Sequence, residues 1–255
     1  MYYERHGRVD GDAPPVLLLH GLGSSATDWP EQLAGFGPRC RLLLVDLPGH
    51  HRSALPAGRL TVERMAADVE RLLVELGEPP VHVAGLSLGA CVGLALAFQA
   101  PARVRSLTLV NGFARFRPAG ARGIRRMVAR VALAAAAPMT VVAARVAGSM
   151  FPKPEQAHLR RAVARSLART PRWTYVAALV ALATFDARPR LASVRCPTLV
   201  VTGDGDATVA LEAKEELARR IEGARLVVVP DSGHATPGDQ PERFNRIVLE
   251  FIGAH

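Results

Sequence analysis

A chain of 255 residues, 49% hydrophobic and only 5% aromatic, is long enough for one sizeable aliphatic core, and this composition excludes a disordered chain. Its three cysteines, Cys40, Cys91 and Cys196, are an odd count with no close pair, which argues against a disulfide framework or a thiolate metal site and fits a reducing compartment. The formal charge of +9 is concentrated: residues 115–190 hold 15 basic residues against Glu155 and Asp186, a formal +13, and the rest of the chain balances to −4.

The first six residues lack the apolar centre of a signal peptide, so a cytoplasmic protein is expected. Continuous Val/Leu runs at 16–20, 41–46, 81–84, 106–111, 197–202 and 225–229 predict strands buried on both faces, as in a parallel sheet. Between them, 62–76, 88–99 and 211–221 have helical length and composition, and 243–252 predicts a closing helix. Such alternation predicts an α/β fold, a mostly parallel central sheet with helices on both faces. The strand pattern stops after Asn111 and resumes near Cys196. The core is therefore assigned to 1–112 and 191–255, and 113–190 to an all-helical insertion whose Pro118, Pro138, Pro152, Pro154 and Pro171 are expected to start helices. The apolar run between Arg130 and Arg145 is interrupted by Pro138 and falls short of the ~20 residues of a spanning helix. It reads as a buried or interfacial helix pair.

Gly85-Leu86-Ser87-Leu88-Gly89 lies between a predicted strand and a predicted helix. A sharp strand-to-helix turn strains the central residue and crowds neighbouring backbones, which the flanking glycines relieve. The serine hydroxyl then stands at the positive end of a helix. A serine nucleophile needs a base held by a third group, and chains with this elbow place them in the order Ser, acid, His. Of His158, His234 and His255, His234 follows the last strand in a Gly-containing loop, where catalytic side chains are commonly carried. Asp204 and Asp206 both follow the preceding strand. The loop His20-Gly21-Leu22-Gly23 can aim a backbone N–H at the elbow, so the Leu22 and Leu88 amides are the expected oxyanion donors, with His20 propping the loop.

With these motifs in order, together with 46–53, Gly203–Asp206 and Gly233-His234, the chain resembles the α/β-hydrolase superfamily over nearly its full length. The resemblance implies that Asp206, in the Gly-x-x-Asp spacing, is the acid, that Asp46 is a turn or strand-end residue, and that 113–190 forms a helical lid. His51 departs from the family by replacing the usual glycine. Serine at 87 separates the chain from haloalkane dehalogenases and epoxide hydrolases, which use aspartate, and Leu86 from meta-cleavage hydrolases, which usually carry Asn there. The elbow looks closest to small esterases and enol-lactonases. The implied activity is carboxylic-ester or lactone hydrolysis through an acyl-enzyme on Ser87, with no metal and no organic cofactor. Acyl transfer or perhydrolysis by the same triad, and a non-catalytic ligand-binding role on the same fold, are the alternatives.

The substrate-pocket candidates are Trp29, Leu133 and Met139. The basic segment reads first as a solvated surface of biased composition, and next as a lid for a small-molecule ester that is anionic or delivered by an acidic carrier. Peripheral membrane contact through 131–144 is the lesser alternative. A nucleic-acid partner is not expected, because few aromatics interleave with the basic residues to stack bases.

Overall fold

The computed structural model describes residues 1–9, 13–116 and 120–255. Seven strands form one sheet: β1 (Tyr3–Gly7), β2 (Pro15–Leu19), β3 (Arg41–Val45), β4 (Val81–Leu86), β5 (Val104–Val110), β6 (Thr198–Gly203) and β7 (Arg225–Val229). Their order is β1-β3-β2-β4-β5-β6-β7, parallel throughout except where β1 runs antiparallel to β3. Every predicted strand is present within two residues. In β2 the run is continuous yet obeys period two: Val16 and Leu18 enter one core cluster, Leu17 and Leu19 the other.

On one face lie α2 (Val62–Glu75), α3 (Leu88–Gln99) and α8 (Leu211–Arg220). The other face is covered by α1 (Pro30–Phe36) and α10 (Pro241–Gly253) through Phe36, Phe244, Val248 and Phe251. Helix α3 is buried on nearly every side, and its small residues let it lie close on β2, β4 and β5. The elbow therefore leads from a central strand into a helix buried against the middle of the sheet.

Between β5 and β6 the described elements are α4 (Gly120–Ala136), α5 (Met139–Met150), α6 (Ala157–Ala168), α7 (Arg172–Thr184) and two 3-10 turns. They share a small core of Ala134, Val142, Ala143, Leu167, Tyr175 and Leu179. An antiparallel bridge between Arg115 and Asp186 draws the ends of the insertion together, and Ala178, Ala181 and Leu182 of α7 pack into the main core. Pro138 and Pro171 cap α5 and α7, and Pro154 opens a 3-10 turn. Pro152 starts no helix: it stands two residues before that turn, in the connection after α5. Pro118 lies outside the described residues. Among the described residues no helix is long and apolar enough to cross a membrane.

Candidate active site

Ser87 sits between β4 and α3 with φ +53° and ψ −107°, a conformation rarely tolerated away from functional turns. Its amide is held by the Val110 carbonyl at 2.8 Å. A Cβ on Gly85 would meet Gly89 O at 2.3 Å, and one on Gly89 would meet Leu19 O at 2.0 Å, so both glycines of the motif are sterically required. The loop His20–Gly23 lies against the turn: a Cβ on Gly21 would stand 3.8 Å from Ser87 Cβ. Leu88, as the first residue of α3, carries an amide with no acceptor inside the helix.

Asp206, after β6, and His234, after β7, reach the same carboxyl-terminal edge of the parallel sheet as Ser87. His234 Nδ1 is 3.0 Å from each Asp206 carboxylate oxygen. The Asp206 side chain is only 1% exposed and also accepts the Thr208 and Val209 amides at 2.8 and 3.1 Å. Lys214 of α8 places Nζ 2.8 Å from Asp206 Oδ2. Burial penalises the Asp206 carboxylate, but the His234 imidazole and the Lys214 ammonium outweigh it and hold the group below the usual carboxylate range. Asp204, the other candidate, instead accepts the Ser232 amide at 3.2 Å and so props the histidine loop.

The sequence of the chain matches the model of the Alpha/beta hydrolase family over residues 16–247. The chain belongs to this family. It is similar to "Putative carbamate hydrolase RutD" from Azorhizobium caulinodans, at 35% identity over 99% of this chain and 95% of the relative. Among solved structures it is similar to a hydrolase from Pseudomonas aeruginosa PA01, at 31% identity and TM-score 0.88 over 98% of this chain and 93% of that one. It is also similar to the enol-lactonase from Burkholderia xenovorans LB400, at 27% identity and TM-score 0.91 over 99% and 96%. These neighbours support a hydrolase built on the alpha/beta hydrolase fold.

As an alpha/beta hydrolase, the chain spends much of its buried polar chemistry on fixing the loops around Ser87. Asn111, with φ +48° and no exposed surface, donates to His234 O at 2.7 Å and Thr236 Oγ1 at 2.9 Å and accepts the Gly203 amide at 3.2 Å. Asp239, in the short helix α9 (Thr236–Asp239), accepts the Gly233 amide at 2.6 Å and a bond from Gln156 of the insertion. Sequence reasoning missed Asn111, Asp239 and Lys214. For Lys214 a signal existed: it stands on the inward stripe of α8 with Leu217 and Ile221, where an apolar residue belongs.

The loop His20–Gly23 is braced from both sides. His20 Nε2 accepts the Leu47 amide at 2.9 Å, so Nδ1 carries the proton donated to Gly21 O at 2.8 Å. Asp46 accepts the Ala26 amide at 2.7 Å and Arg52 Nε at 2.8 Å, which makes it a loop clamp. The insertion contributes Thr170 Oγ1 to Gly23 O at 3.1 Å and Ser166 Oγ to Asp28 Oδ2 at 2.7 Å. Of the pocket candidates, Leu133 and Met139 are half-buried against the insertion core that also receives Leu22. Trp29 is 2% exposed and belongs to the core cluster that holds Phe36.

Burial of His20 and His50 has a pH consequence. Desolvation pulls His20 from 6.5 to about 4 and His50 from 6.5 to about 3, so both are neutral in the folded protein at pH 7. Unfolded chains take up these protons near the ordinary value, folded ones only well below it. Stability is therefore full above roughly pH 6.5 and drains as pH falls toward 4. Urea midpoints measured between pH 7 and 4.5 are expected to fall continuously; a flat profile would show that these histidines are not held neutral.

Proposed function

We propose that the protein is a serine hydrolase that cleaves a carboxylic ester, lactone or related acid derivative through an acyl-enzyme on Ser87. The observation that carries the reading is the His234 imidazole: its Nδ1 is engaged by both Asp206 oxygens at 3.0 Å, which leaves Nε2 as the basic nitrogen at the sheet edge where the strained Ser87 is presented. Ser87 Oγ attacks the carbonyl carbon as His234 Nε2 takes its proton. The Leu22 and Leu88 amides receive the oxyanion, each such donor being worth ~3–4 kcal/mol in the transition state. The imidazolium protonates the leaving alkoxide. Water, deprotonated by the same nitrogen, then attacks the acyl carbon and releases the acid. Ester, lactone and carbamate carbonyls all admit this sequence, in keeping with the enol-lactonase and carbamate-hydrolase names of the similar proteins.

The insertion serves as the lid of this site, supported by its bonds to the oxyanion loop and by the Lys153 ion pair with Asp231 beside the histidine loop. Arg161, Arg165 and Arg169 are exposed at four-residue spacing along and just beyond α6, giving one positive stripe that favours anionic or carrier-bound acyl substrates.

Hydrolysis of p-nitrophenyl esters from acetate to laurate, an enol-lactone and an aryl carbamate tests the reading. Turnover with an optimum in acyl length is expected, and kcat/KM for an anionic ester should fall more steeply with added salt than for a neutral one. Folded protein that turns over none of these compounds would overturn the proposal.

A further inference from the structure

Helix α8 carries Ala213, Lys214, Leu217 and Ala218 on its inward side, and Lys214 is fully buried there. A buried ammonium is costly unless paired, and this one has two partners: Asp206 Oδ2 at 2.8 Å and the Val209 carbonyl. Both side chains of the Lys214–Asp206 pair are 1% exposed, so solvent screens the pair little. The same carboxylate takes His234 Nδ1 at 3.0 Å and the Thr208 and Val209 amides. Lysine, aspartate and histidine thus form one buried chain of charge.

We propose that Lys214 is a positioning residue that sets the basicity of His234, its ammonium cancelling the Asp206 charge that would otherwise favour an imidazolium. With Lys214 charged, the three groups sum to zero when His234 is neutral and to +1 when it is protonated. Without it, the sums are −1 and 0. The ammonium therefore opposes protonation of His234 and keeps the imidazole able to accept a proton at lower pH. It also fixes the carboxylate, because Nζ on Oδ2 and two amides on Oδ1 leave one orientation in which both oxygens meet Nδ1.

Other charged groups face these residues from several elements. Glu212 lies on the same helix as Lys214. Asp204 accepts the Ser232 amide in the histidine loop, Asp239 of α9 accepts the Gly233 amide, and Asp231 pairs with Lys153 of the insertion. None of these changes when position 214 is substituted, so they form a constant background.

The catalytic consequence rests on the proposed function; the effect on the imidazole does not. The experiment titrates His234 by NMR in 15N-histidine-labelled wild type, Lys214→Met and Lys214→Gln, alongside pH profiles of kcat/KM for p-nitrophenyl acetate. Thermal melts set the temperature at which every variant is folded, and Gln retains a donor for Asp206 without the charge. Both variants are expected to raise the imidazole pKa by roughly one to two units. The acid limb of the pH profile should move by the same amount, costing about tenfold in rate per unit on that limb and little on the plateau. An unchanged imidazole titration in either folded variant overturns the proposal, whatever the loss of stability. A raised imidazole pKa in a protein that hydrolyses no ester supports the role of Lys214 and overturns the hydrolytic reading instead.

Discussion

Ser87→Ala is expected to lower kcat/KM for esters by roughly 10⁴- to 10⁶-fold and to leave the fold intact. The size follows from the proposed role: without Oγ no acyl-enzyme would form, and only the proposed oxyanion amides and substrate positioning would remain to assist direct attack by water. The fold survives because the turn is held by backbone bonds, Ser87 N to Val110 O at 2.8 Å and Cys91 N to Ser87 O at 3.1 Å, which alanine keeps. Alanine also inherits the strain at φ +53°. Glycine does not, so Ser87→Gly should be equally inactive yet about 1 kcal/mol more stable than Ser87→Ala. Urea denaturation of the two variants measures the strain stored at position 87, and a burst in the wild-type kinetics would report the proposed acyl-enzyme. Turnover retained in Ser87→Ala would reject the serine mechanism.

What could be read from the residues divides along a physical line. The elbow was legible because its glycines answer a local steric demand: a Cβ at position 89 would lie 2.0 Å from a carbonyl oxygen. The parallel strands were legible because burial on both faces leaves continuous Val/Leu runs. Strand β1 was not: Tyr-Glu-Arg-His-Gly is almost wholly exposed, pairs along only one side, and has the charged character of an edge. Helix α1 was missed although Pro30 at its first turn was a usable sign. Asn111 and Lys214 were missed for a deeper reason. Asn111 bonds residues more than 90 positions away, and Lys214 is explained only by a carboxylate one turn-and-loop earlier that itself belongs to the histidine. No pattern in the neighbouring sequence announces Asn111, and for Lys214 the one sign, a lysine on the inward stripe of α8, does not name its partner. Trp29, a large aromatic just after the loop that follows β2, is 2% exposed and joins the core cluster that holds Phe36.

Asp206→Asn should reveal how far this carboxylate is bound into the structure as well as into the proposed chemistry. An amide can still accept the Thr208 and Val209 N–H groups through its oxygen. Its NH₂ must then face Lys214 Nζ and His234 Nδ1, donor against donor, and the buried ammonium loses its counter-charge. The expected result is a fall in kcat/KM of roughly 10⁴-fold, as for loss of the orienting acid in a serine triad, together with about 3–5 kcal/mol of lost stability. Ser87→Ala should show the first effect without the second. Adding Lys214→Met to Asp206→Asn removes the stranded charge, so the double variant is expected to recover much of the stability and none of the activity. The non-additivity measured in this cycle is the coupling between the two residues; additive losses would show that they are not coupled. The sign of the pH dependence gives an independent check. Because the folded carboxylate titrates below its unfolded counterpart, its contribution is complete above roughly pH 4 and is lost as pH falls through the lower, folded value. The stability gap between wild type and Asp206→Asn should therefore be widest at neutral pH and close progressively in strong acid, where the wild-type carboxyl is itself neutral.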